Sequence, residues 1–108
     1  MTRHVLFLCS QNRLRSPTAE QVFADWPGIE VVSAGLLADA EERLGPELLQ
    51  WADLVFVMER THRTRLSNHF APWLKGKRVV CLDIPDDYDY MDPALVELLK
   101  RRVVPHLR

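Results

Sequence analysis

From His4 to Cys9 the chain is almost continuously apolar (Val5, Leu6, Phe7, Leu8), which predicts a strand buried on both faces, as in a parallel sheet. A polar stretch from Ser10 to Arg15 interrupts it, and Ser16-Pro17-Thr18-Ala19-Glu20 then reads as a helix start, with Ser16 at the N-cap and Pro17 at the first helical position. Ala19, Val22, Phe23 and Trp26 give that helix an apolar stripe, and Pro27-Gly28 ends it. Ile29 to Val32 predicts a second strand that breaks at Ser33-Ala34-Gly35. Leu36 to Leu44 has weak periodicity and reads as loop. Gly45-Pro46 introduces a helix carrying Leu48, Leu49 and Trp51, and Leu54 to Met58 is a third buried strand. Arg60 to Phe70 reads as a basic, mostly solvated helix with an irregular extension to Leu74. Arg78 to Leu82 is a fourth strand, expected to be buried. An acidic loop, Asp83 to Asp92, leads to a last helix with Asp92 as its N-cap.

Strands alternating with helices predict an α/β three-layer sandwich around a four-stranded parallel sheet. There is no internal repeat and no dividing linker, so a single domain over residues 1–108 is expected. In such sheets the functional crevice lies at the carboxyl ends of the strands. Cys9 and the acidic loop after Leu82 both fall on that edge.

Composition narrows the picture. The 108 residues are 47% hydrophobic with a formal net charge of −1, which points to a globular protein and to neither nucleic acid nor an anionic membrane surface as a partner. No apolar run approaches the roughly 20 residues of a membrane span, and Val5 to Cys9 is too short for a signal peptide's apolar core. The expected location is the cytoplasm. Two cysteines, Cys9 and Cys81, are too few for a disulfide scaffold, and a reducing compartment keeps both as thiols.

The segment Cys9-Ser10-Gln11-Asn12-Arg13-Leu14-Arg15-Ser16 spans the strand-to-helix turn with Cys and Arg six positions apart. A loop wrapping before a helix start turns successive backbone N–H groups inward as an anion nest. Arg15 adds a planar fork for two phosphate oxygens. The same positive field favours a Cys9 thiolate, and Ser16 can donate a hydrogen bond to it. A bare C-x5-R spacing recurs by chance. Its place between the end of a buried strand and a helix start gives it weight.

Val5-Leu-Phe-Leu-Cys-Ser-Gln-Asn-Arg-Leu-Arg-Ser-Pro-Thr-Ala-Glu20 resembles the signature of the low-molecular-weight protein tyrosine phosphatases, a C-x5-R-S loop with a central Asn followed by P-x-A-E. Val32-Ser-Ala-Gly35, Ala52-Asp-Leu-Val-Phe-Val-Met58 and Ile84-Pro-Asp86 resemble later blocks of that family in the same order. The resemblance implies the same four-stranded parallel fold and a cysteine-dependent phosphomonoesterase working through a phosphocysteine intermediate. It implies Cys9 as nucleophile and Arg15 as phosphate clamp, with Ser10, Gln11, Asn12, Arg13 and Leu14 as the rest of the phosphate-binding loop. Ser16 would support the thiolate, Asn12 would hold the loop's tight turn, and Ser33 would bond to the loop from the neighbouring strand. Asp86 aligns with the family's general acid and Tyr88 with a tyrosine beside the pocket. No metal or cofactor is required.

There are departures. Asp87 stands where the family has proline, so Asp87 is the alternative acid. The segment between Gly35 and Trp51 is shorter than in typical relatives, which leaves the aromatic wall missing or remade from Leu36, Leu37, Tyr88 and Tyr90. Leu14 replaces a second cysteine of many relatives, and Arg13 is either a surface charge or an added attraction for acidic substrates. A non-catalytic phosphate-binding module is the alternative reading. An arsenate reductase would need more cysteines than Cys81, and a phosphocysteine carrier of the sugar phosphotransferase type would need neither Arg15 nor Asp86. The expected partner is a phosphorylated protein or small molecule. Phosphoserine, phosphoarginine, nucleotide and RNA phosphates stand beside phosphotyrosine. The basic stretch from Arg60 to Arg65 reads as a solvated helix face rather than a nucleic-acid contact.

Overall fold

The computed structural model describes residues 2–107, so residues 1 and 108, the ends of the expected single domain, lie outside the described residues. Eight elements alternate along the chain: β1 (Arg3–Cys9), α1 (Arg15–Phe23), β2 (Ile29–Gly35), α2 (Pro46–Trp51), β3 (Leu54–Val57), α3 (Arg60–Leu74), β4 (Arg78–Cys81) and α4 (Pro93–Leu107). The strands form one parallel sheet in the order β2-β1-β3-β4.

The uninterrupted apolar run of β1 follows from its central place. Val5, Phe7 and Cys9 face one layer, with Phe23 of α1 and Leu95, Leu99 and Val103 of α4. Leu6 and Leu8 face the other, with Leu49 of α2 and Leu66 of α3. The rings of Phe7, Phe23 and Phe56 stack through the first layer, with centroids 5.8 and 5.2 Å from Phe7. From β1 the chain passes to β2 on one side, and β3 then fills the other. The carboxyl end of β1 is therefore a topological switch point, where such sheets open a crevice.

Several boundaries differ from the sequence expectation, the strand ends of β1, β3 and β4 by one residue each. Helix α1 begins at Arg15, with Leu14 at its N-cap and no side-chain capping bond. Ser16 is not the cap, because its hydroxyl is turned to Cys9. The helix ends at Phe23, and Trp26 keeps the apolar stripe from the following turn by packing edge-on against Phe23. Strand β2 does not break at Ser33 but runs to Gly35, pairing Ser33, Ala34 and Gly35 with Phe7, Leu8 and Cys9. A serine is tolerated there because its hydroxyl and N–H both reach Glu20 at 2.7 Å. Helix α3 keeps the expected irregular extension to Leu74, through a kink at Phe70 (φ −131°, ψ 19°), two residues before Pro72, whose missing N–H cannot pair with the preceding turn.

Helix α3 is mostly solvated as expected, with Arg60, Arg63 and Arg65 exposed, and buries His62 and Leu66. One burial expectation changes. Cys81 is only half-buried, because β4 lies at the sheet edge. Asp92 does cap α4, its carboxylate accepting the N–H of Ala94 at 2.9 Å. Among the described residues no helix is long and apolar enough to cross a membrane.

Candidate functional site

The loop between β1 and α1 is shaped from outside by the segment that follows β2. The N–H groups of Leu36, Leu37 and Glu41 donate to the carbonyls of Cys9, Ser10 and Gln11 at 3.0, 2.9 and 3.1 Å. In a trans peptide the carbonyl and the next N–H point in opposite directions. Occupying those three carbonyls therefore turns the N–H groups of Ser10, Gln11 and Asn12 away from that segment. The Asn12 N–H shows the result, lying 3.3 Å from the Cys9 sulfur. This is how the sequence builds an anion nest at a helix start.

Asn12 has φ 57°, a left-handed conformation that Asn adopts more readily than most residues. Its buried amide donates to Ser16 Oγ at 3.0 Å and to Ser33 Oγ at 2.9 Å. Because Ser33 Oγ donates onward to Glu20, and Ser16 Oγ accepts from Asn12, the Ser16 hydroxyl hydrogen is left for Cys9 Sγ, 2.9 Å away. The polar core thus delivers one directed hydrogen bond to the sulfur. Among the described residues no buried side-chain nitrogen or oxygen lacks a partner.

Arg15 is 3% exposed. Its Nη1 donates to the Ile84 carbonyl at 2.8 Å and pairs with Glu59 at 3.1 Å, and its Nε faces the Asp86 carboxylate at 3.7 Å. A pocket of about 230 Å³ opens over Cys9, lined by Ser10, Gln11, Arg13, Leu14, Arg15 and Asp86. It is smaller than the roughly 300–1,000 Å³ of drug-sized ligand sites. Arg13 stands at its rim, 3.8 Å from Glu41, and Gln11 reaches Asp39 at 3.1 Å.

The expected residues largely converge. Asp86, rather than Asp87, lines the pocket, with its side chain 66% exposed at the mouth. Tyr88 does not line it; the ring packs against the core layer of Val5 and Phe7. Leu36, Leu37 and Tyr90 are likewise absent from the lining, and Leu36 is buried in the opposite layer. None of the lining residues is aromatic.

Three residues at the site went unread in the sequence. Glu20 anchors Ser33. Glu59 holds Arg15, and His62 is 4% exposed with Nε2 2.9 Å from Ser10 Oγ. Burial, and then the Arg15 charge, hold His62 below the ordinary imidazole range against the opposing pull of Glu59 and Asp86, so it is neutral near pH 7. The signal was Met58-Glu59-x-x-His62 at the carboxyl end of the strand beside β1. That spacing puts both side chains in the first turn of α3.

Gly35 is required where β2 meets the loop. A Cβ there would stand 2.9 Å from the Ser10 carbonyl and 3.0 Å from the Asn12 nitrogen, besides striking the Ala40 side chain. Gly35→Ala is expected to cost about 1–3 kcal/mol of stability and to weaken inorganic phosphate binding. Thermal melts and calorimetric titration check this, and unchanged phosphate affinity would contradict the tight fit.

No protein-family model matches the sequence, and no curated protein matches it. Solved structures do. A low-molecular-weight phosphotyrosine phosphatase from Vibrio cholerae O395 superposes with a TM-score of 0.79 at 19% identity, over 97% of this chain and 94% of that one. Wzb from Vibrio vulnificus, solved with benzylphosphonate, gives 0.78 at 26% identity over 98% and 97%. The YwlE arginine phosphatase from Geobacillus stearothermophilus gives 0.77 at 22% identity over 97% and 92%. In fold, over nearly its whole length, the chain matches the low-molecular-weight protein tyrosine phosphatases.

Proposed function

We propose that the protein is a cysteine-dependent phosphomonoesterase of the protein tyrosine phosphatase type, with Cys9 as nucleophile. The observation that carries this reading is the Cys9 sulfur lining a pocket of about 230 Å³, with the Ser16 hydroxyl at 2.9 Å and both Arg15 and Asp86 in the lining. The Cys9 thiolate attacks phosphorus in line. A sulfur–phosphorus bond forms as the bond to the leaving oxygen breaks, and Asp86 gives that oxygen its proton. Loop N–H groups and the Arg15 guanidinium stabilise the equatorial oxygens. Asp86 then takes a proton from water, which attacks the phosphocysteine and releases inorganic phosphate and the thiolate. Every step uses groups of this chain.

The reading takes Asp86 rather than Asp87 as the acid, supported by the place of Asp86 in the pocket lining, which Asp87 does not share. With an alkyl phosphate, whose leaving group needs a proton, Asp86→Asn is expected to lower kcat about 10²–10⁴-fold, while Asp87→Asn stays near wild type. Steady-state kinetics check this, and the reverse ranking would reassign the acid. An inert wild type that still binds phosphate would favour a non-catalytic phosphate-binding module.

The substrate is a phosphorylated protein or small molecule. The lining offers no aromatic ring to stack on a phenyl group, so any preference for phosphotyrosine must come from outside the pocket. Rates on phosphotyrosine, phosphoserine, phosphoarginine and nucleotide phosphates assign the class.

A further inference from the structure

Ser10 lines the Cys9 pocket, and its hydroxyl is the one side-chain hydroxyl of the loop that the internal network of Asn12, Ser16 and Ser33 does not absorb. Its partner is His62, which comes from the first turn of α3 on the far side of β3. The Glu59 backbone N–H donates to His62 Nδ1 at 3.1 Å, so Nδ1 must carry a lone pair. In the neutral ring the single N–H proton is then on Nε2, and Nε2–H donates to Ser10 Oγ at 2.9 Å. With a lone pair taken in this way, the Ser10 hydroxyl keeps its hydrogen for another acceptor. The Ser10 carbonyl is already held by Leu37 N–H at 2.9 Å, so the residue cannot easily turn away.

We infer that Ser10 Oγ–H is an additional phosphate-binding donor of this site, and that His62 is the positioning residue that aims it. The inference rests on the pocket over Cys9 being a phosphate site. Protonating His62 would place a second donor at Nδ1 against the Glu59 N–H and break the arrangement. The charged and titratable groups that bear on the ring are Arg15 from α1, Glu59 on its own turn and Asp86 from the loop after β4. Glu59 Oε2 stands 3.5 Å from Nε2, close enough to compete for its proton if Ser10 is removed.

The test is a mutant cycle read by calorimetric titration of inorganic phosphate, alongside KM and kcat for an aryl phosphate. A hydrogen bond to a charged oxygen predicts that Ser10→Ala weakens phosphate binding roughly tenfold. His62→Ala should weaken it by a similar factor, and the double variant should lose little more than either alone, because the two act through one hydroxyl. His62→Gln, whose amide N–H can donate from near the Nε2 position, should restore most of the affinity. A merely structural histidine would not give that rescue together with non-additivity. If Ser10→Ala leaves phosphate affinity unchanged, the inference is wrong whatever becomes of the histidine variants. Additive losses would remove His62 from the role. If the wild type binds phosphate and loses it on Ser10→Ala but hydrolyses nothing, the donor stands and the phosphatase reading fails. If it hydrolyses the aryl phosphate with Ser10 indifferent, the donor alone fails.

Discussion

Cys9→Ser is expected to lower kcat on an aryl phosphate by a factor on the order of 10⁴–10⁶ while leaving inorganic phosphate binding nearly intact. The asymmetry follows from the geometry. A serine oxygen can occupy the sulfur's place and keep the Ser16 contact, 2.9 Å in the native protein, and the Asn12 N–H, 3.3 Å away. The nest and Arg15 are untouched, so the anion still binds. What disappears is the sulfur nucleophile, which also leaves phosphorus readily in the second step. Stopped-flow or endpoint assays of product release, paired with phosphate titration, check both halves. A variant that keeps substantial turnover would rule out covalent catalysis by Cys9.

Arg15→Lys is the second large effect, and the conservative look of the change is misleading. The guanidinium makes two bonds from Nη1, to the Ile84 carbonyl and to Glu59, while its Nε edge faces the pocket. A lysine ammonium is a point donor and cannot hold those anchors and a pair of phosphate oxygens at once. A loss of about 10³-fold in kcat/KM is expected, the size seen when preorganised donors to a transferring phosphoryl group are removed. The side chain is 3% exposed, so the variant should also melt lower. Kinetics at a temperature where circular dichroism shows the variant folded separate the two effects. A kcat/KM within a few fold of wild type would mean Arg15 is only a structural ion pair.

Much of this was legible in the chain because its local signals agree. The run from Val5 to Leu8 reads as a doubly covered strand, and it is the strand with Phe23 on one face and Leu66 on the other. The loop residues from Cys9 to Ser16 are contiguous, so their roles travel with their spacing, and Asn12 takes the left-handed turn its side chain suits. The helix start at Ser16 was misread because the residue suits two tasks. A serine before proline looks like a cap until the sulfur seven residues earlier claims its hydroxyl. Ser33 misled in the same way, ending the strand on paper while Glu20 satisfies it in the fold. Glu59 and His62 were missed for another reason. Their spacing marks a helix start after β3, but their contacts to Arg15 and Ser10 cross from β3 to β1, a neighbourhood set by the order of the strands in the sheet. Between Asp86 and Asp87 the sequence favours Asp86 only by resemblance, since adjacent side chains of one type differ physically only in which way the backbone aims them.

Covalent catalysis requires a phosphocysteine at Cys9, and a variant slowed in the second step traps it. Asp86→Asn, with its second step slowed for want of a base, is mixed with an activated aryl phosphate, quenched and digested, and the Cys9 peptide is analysed by mass spectrometry. A phosphoryl group on Cys9, formed as the first equivalent of phenol is released and absent from Cys9→Ser, is the predicted result. Release of phenol by the same protein with Cys9 unmodified throughout, or with the phosphoryl group on another residue, would contradict it.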